Sequence, residues 1–83
     1  MKIAKALKQM YDGGMQYEAA SVISYIEEVG GLSSLLEELY HARLVLYADP
    51  LEGYIIYSDE DIPEGIKEGY IEERYIVKYW FIL

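Results

Sequence analysis

The chain of 83 residues contains no cysteine. No disulfide can staple it, so a packed core or a partner subunit must hold the fold. Asparagine and threonine are absent too, while tyrosine reaches ten. Scarcity of thermolabile residues beside abundant glutamate is a pattern of heat-adapted proteins. Long apolar runs are also missing. The longest, 44–48 and 79–83, fall far below the roughly 20 residues a membrane-spanning helix requires. Near the N-terminus Lys5, Lys8 and Gln9 interrupt any leader-like apolar stretch, so a soluble protein of the cytoplasm is expected. The last scarcity is of positive charge. Between Gln9 and Ile66 one arginine, Arg43, faces twelve acids, which leaves that segment at −11 within a chain whose total is −8.

A field of that sign repels phosphate backbones and anionic membranes and attracts basic protein surfaces. The hydrophobic content of 53% is too high for a disordered acidic tail and ample for a core. A chain of this length forms one domain, burying a little over ~60% of the surface its unfolded form exposes. It has no linker and no internal repeat.

Ile3, Leu7 and Met10, with Ala6 and Tyr11 beside them, follow helical spacing, and Gly13-Gly14 stops that helix. Lys2, Lys5 and Lys8 line its other side. A second helix is predicted over 16–29, with an apolar stripe of Ala19, Val22, Ile23, Ile26 and Val29 ended by Gly30-Gly31. Ser34 and Glu37 then fit a capping box, the serine bonding the Glu37 amide while the glutamate reaches back. Leu35, Leu36, Leu39 and Tyr40 carry a third helix to about Ala42.

Beyond Ala42 the apolar period shortens to that of a strand. Two strand-like stretches, 43–48 and 54–58, flank Asp49-Pro50-Leu51-Glu52-Gly53, a hairpin connection with proline and glycine where a turn needs them. The acidic stretch 59–69, broken by Pro63, Gly65 and Gly69, reads as a loop with at most a short turn of helix. A final strand is predicted over 70–83, apolar on both faces towards its end and therefore central or covered. The expectation is an α+β fold, three N-terminal helices followed by a small antiparallel sheet of a hairpin plus a C-terminal strand.

In 32–58, a helix passing through Leu-Tyr-His-Ala-Arg-Leu-Val-Leu into a hairpin closed by Asp-Pro-Leu-Glu-Gly resembles the recognition helix and wing of winged-helix domains. Counting the two preceding helices, the resemblance covers about 3–58. It implies that the helix at 32–42 enters a DNA major groove and that the tip at 49–53 touches the backbone. The outer side of that helix offers Ser33, Ser34, Glu37, Glu38 and His41, and the tip offers Asp49 and Glu52. None is the Arg or Lys that serves phosphates and guanine edges.

No residue set dictates a reaction. His41 could pair with Ser33, Ser34 or Ser58, but nothing signals an orienting group or an oxyanion site. Asp59-Glu60-Asp61 with Glu64 lacks the spacing and glycine placement of a calcium loop. The glycine pairs lack the lysine spacing of a phosphate cradle. No catalytic residue, metal site or cofactor is expected. Ten tyrosines exceed what one small core buries with each hydroxyl partnered, so several, among Tyr17, Tyr25, Tyr47, Tyr54, Tyr57 and Tyr70, should reach the surface.

Acid and tyrosine together point to a contact surface. The preferred expectation is a non-enzymatic acidic module that docks on a basic, nucleic-acid-binding protein, presenting carboxylates where phosphates would lie. In size and charge the chain resembles small acidic phage proteins that inhibit host nucleases, restriction systems or RNA polymerase. Partner-binding candidates are Glu37, Glu38, Asp49, Glu52, Asp59, Glu60, Asp61, Glu64, Tyr54 and Tyr57. One alternative is a winged-helix regulator that binds DNA through Lys2, Lys5 and Lys8 as a symmetric dimer. Another is a structural homo-oligomer that pairs through its C-terminal strand at Ile76 and Trp80.

Overall fold

A computed structural model describes residues 2–78. Three helices come first: α1 (Ile3–Asp12), α2 (Gln16–Glu28) and α3 (Leu32–His41). Strands β1 (Leu44–Asp49) and β2 (Gly53–Ser58) follow as one antiparallel hairpin. The fold is α+β, helices first and hairpin after, as the change of apolar period implies.

Leu7, Ala19, Ile23, Leu35, Leu36 and Leu39 bring the three helical stripes together. Leu44, Leu46 and Ile56, on one face of the hairpin, close that core from below. Within it α3 lies against β1, while α1 and α2 lie against β2. Val22 and Val29 of the predicted α2 stripe stand exposed instead. Helix α2 meets the core through the narrower line of Ala19, Ile23 and Ile26.

At the turn, Pro50, Leu51 and Glu52 join the paired Asp49 and Gly53. Gly53 has φ +85°, a left-handed conformation that side chains resist. The Asp49 carboxylate accepts hydrogen bonds from the amides of Leu51 (2.8 Å) and Glu52 (2.9 Å), which fixes the turn. At the other end α3 passes into β1 through Arg43, itself at φ 61°.

The capping box is not used. Gly31 is the N-cap of α3, and no side chain caps it. Ser34 therefore sits inside the helix, because Leu32 is already helical. The stretch 59–69 is more ordered than its breakers suggest, with a 3-10 turn (Asp59–Asp61) leading into α4 (Ile62–Glu68). Pro63 stands in the first turn, where its missing N–H costs nothing. Gly65 is buried so tightly against Ile71 that a Cβ there would overlap the isoleucine side chain. Gly69, at φ +89°, ends the helix, and the amides of Gly69, Tyr70 and Ile71 all converge on the Gly65 carbonyl.

The predicted strand over 70–83 is corrected in its first half. Residues 70–75 hold no strand, and Glu73–Tyr75 is a 3-10 turn. Among the described residues of this stretch only Ile76 pairs, antiparallel with Tyr47, and the Val77 amide donates to the Leu46 carbonyl at 2.9 Å. This segment thus lies beside β1 on the side away from β2, within the same chain. The expectations for 79–83, including Trp80, lie outside the described residues.

Candidate functional site

The ten candidate residues do not form one face. Glu37 and Glu38, on α3, share a groove with Lys2, Lys5 and His41. Asp49, Glu52 and Tyr54 lie at the hairpin turn. Asp59, Glu60, Asp61 and Glu64 begin at the hairpin's other end, beyond the Leu44–Ser58 pair. Five residue steps at ~3.4 Å separate those ends by about 17 Å. Tyr57 lies on the hairpin face away from the core, its ring 5.8 Å from that of Tyr47 and 6.5 Å from that of Tyr70.

Several carboxylates are already employed. Glu38 Oε1 accepts the Ala4 amide at 3.3 Å, at the start of α1. Asp49 holds the turn. Asp59 Oδ2 accepts from Arg43 Nε at 3.1 Å while its own amide donates to the Arg43 carbonyl. Glu37 Oε1 stands 4.0 Å from His41 Nε2. In contrast, Glu28, Glu60, Asp61 and Glu64 make no ion pair among the described residues. Among the described residues no three His, Asp or Glu side chains are grouped to hold a metal ion. No helix among them is long and apolar enough to cross a membrane.

The tyrosines divide into two sets. Tyr17, Tyr25 and Tyr70 are exposed, as their number suggests. Tyr47 is buried, contrary to expectation, because the segment carrying Ile71 and Tyr75 covers the outer face of the hairpin. Its hydroxyl accepts the Glu72 amide at 3.0 Å. Tyr54 and Tyr57 are half-buried. The Tyr11 hydroxyl donates to the Tyr54 carbonyl, and the Tyr54 hydroxyl donates to Glu27 Oε2 at 2.9 Å. Burial pushes Tyr11 up to about 12. Burial first, then the hydrogen bond to Glu27 and its negative charge, raises Tyr54. Tyr57 is raised by burial first, and by nearby Tyr47, Asp49 and Tyr70.

Between α2 and the hairpin turn runs an open trough of about 570 Å³. Its floor is small: Ala20, Ser21 and Ser24 from α2, Ala48 and Gly53 from the hairpin. Tyr17 and Tyr25 stand along the helix side, Tyr54 along the hairpin side, and Glu28 and Asp49 contribute acid. No lysine or arginine among the described residues lines it. Gly53 comes close to α2 at Ala20: a Cβ there would stand 3.9 Å from the alanine Cβ. Composition and apolar periodicity single out neither Glu27 nor Glu28, and they leave this concavity unseen. The available signal was that 17, 21, 24, 25 and 28 share one helical face of tyrosine, serine and glutamate.

Fold and trough together define a small α+β protein with an acidic, tyrosine-walled groove. The chain matches no family model, and no curated protein or solved structure matches it significantly.

Proposed function

We propose that the chain is a non-enzymatic acidic binding module that docks on a basic surface of another protein. The reading is sharpest for an inhibitor that offers carboxylates to a nucleic-acid-binding protein in place of phosphates. The observation that carries it is the trough beside α2, where tyrosine rings and carboxylates meet without a basic side chain of the described chain to neutralise them. Tyrosine supplies contact area at low entropic cost, and unpaired carboxylates steer a cationic partner. The test is capture from nuclease-treated cell lysate at low salt, followed by a salt step and identification of the eluted protein. A basic nucleic-acid-binding protein released by salt is expected, since exposed charges are screened over ~8–10 Å near physiological ionic strength. Capture of nothing basic would end the proposal.

A second reading, the winged-helix DNA-binding regulator, has one observation in its favour. Lys2 and Lys5 share a groove with the outer side of α3, so two cations flank the helix that would enter a major groove. Lys8 contributes less, being paired with Asp12 at 2.6 Å. If this reading holds, the protein binds duplex DNA at low salt, and alanine at Lys2 and Lys5 weakens binding and flattens its salt slope. Absence of duplex affinity at low salt excludes it.

A further inference from the structure

The trough is shaped for an occupant of definite chemistry. Tyr17 and Glu28 are eleven residues apart on α2, so the helix side runs about 16 Å at ~1.5 Å per residue. An extended peptide covers that length in about five residues. A floor of Ala20, Ser21, Ser24, Ala48 and Gly53 has no long side chain to obstruct a backbone lying along it.

Charge and aromaticity concentrate towards the far end. Tyr25 and Glu28 are three residues apart on α2 and therefore neighbours on its surface. Tyr54 crosses from the hairpin to reach Glu27, so its ring lies beside the same helical turn. The Tyr54 hydroxyl is anchored there, and the backbone of that residue is held by Tyr11. Two tyrosine rings, one of them fixed, thus stand beside Glu28, which makes no ion pair among the described residues. Tyrosine faces attract cations, and a carboxylate binds a guanidinium in a planar fork. Guanidinium stacks on aromatic rings and sheds water more readily than an ammonium.

We propose that this trough seats an extended, arginine-bearing segment of a partner protein, with one guanidinium held by Tyr25, Tyr54 and Glu28. The inference rests on the acidic-module reading and assigns it a site. It also turns attention from the hairpin's opposite end to α2. Charge complementarity selects the occupant, because every ionisable group lining the trough is acidic or phenolic.

The test titrates the isotope-labelled protein with the peptide Gly-Ser-Arg-Ser-Gly, and separately with its lysine counterpart, at low salt, following backbone amide shifts. Saturable shifts centred on Ser21, Ser24, Tyr25 and Gly53 are expected, with the arginine peptide binding severalfold more tightly than the lysine peptide. Glu28→Gln and Ser24→Arg, both at exposed helix positions, should each weaken binding about tenfold, while helix content and melting temperature stay near wild type. The control pair Glu68→Gln and Glu73→Gln, exposed acids outside the trough, should bind as wild type does. Shifts centred elsewhere, or equal affinity in the Glu28 and Ser24 variants, overturn the site and leave the acidic-module reading standing. No saturable binding of either peptide by the wild type also overturns the site, while the acidic-module reading stands or falls on the lysate capture. A concentration-dependent dimer in sedimentation that Ser24→Arg abolishes means a second copy fills the trough, which also overturns the proposal.

Discussion

Glu38 caps a helix that is not its own. Its Oε1 accepts the Ala4 amide at 3.3 Å, at the first turn of α1, from a position 34 residues further along the chain. Helix α1 has Lys2 as its N-cap residue, no side-chain cap of its own and no acid in its first turn. A lysine there opposes the helix dipole, and a carboxylate delivered from α3 offsets it.

Removing that cap should loosen α1 from α3. Glu38→Ala is expected to cost about 0.5–2 kcal/mol, and Glu38→Gln less, since the amide oxygen still accepts. Urea unfolding of the two variants measures the difference. Equal costs would mean that the hydrogen bond contributes nothing beyond charge.

Gly65 reverses the usual rule for a glycine inside a helix. Replacing such a residue with alanine ordinarily gains up to about 1 kcal/mol. Here the new methyl overlaps Ile71, so Gly65→Ala should instead destabilise by about 1–3 kcal/mol. Gly65→Ala combined with Ile71→Val should recover part of the loss, because the overlapping atoms include the isoleucine Cδ1. Thermal melts of the single and double variants check it.

Alkaline pH should unfold the protein through its tyrosines. Tyr11 ionises near 12 when folded and near 10 when unfolded. The folded state therefore holds its proton longer. Its stabilising share is complete below pH 10 and disappears as pH climbs through 12. Tyr54 and Tyr57 are raised as well and act in the same direction. Melting temperature should fall steeply between pH 10 and 12, and Tyr11→Phe should make that fall shallower. An unchanged slope in the variant would falsify the assignment to Tyr11.

Tyr47 fastens the C-terminal segment with a single hydroxyl. Tyr47→Phe keeps the ring between Tyr57 and Tyr75 and deletes only the acceptor for the Glu72 amide. Hydrogen exchange at Glu72 should quicken while exchange across β1 and β2 stays slow. The cost in stability should be about 0.5–1.5 kcal/mol.

Three helices and the hairpin were legible in the sequence because their apolar periods and glycine stops coincide with their packing. α4 was not. Pro63 and Gly65 read as breakers, yet one occupies a first turn and the other fits beneath Ile71, which only tertiary packing reveals. The start of the predicted last strand failed for a related reason. The apolar Ile71 and Tyr75 belong to a segment folded across Tyr47, and no ladder forms over 70–75. The acidic charge was plain, but its distribution was not. Sequence counts carboxylates without disclosing that Glu38, Asp49 and Asp59 are bound to Ala4, the turn amides and Arg43. Conversely Glu28, an ordinary helix acid on paper, lines the trough.

The anchors of α1 bear on how the chain comes off the ribosome. Its cap arrives with Glu38, and the Tyr11 hydroxyl finds its acceptor only in Tyr54. An isolated helix of 10 residues is marginal in water. Helix α1 therefore gains both anchors only after α3 and β2 have been added to the chain. The helix nearest the N-terminus is thus secured by residues far along the chain, and a truncation before residue 54 should leave Leu7 and its apolar neighbours loosely held.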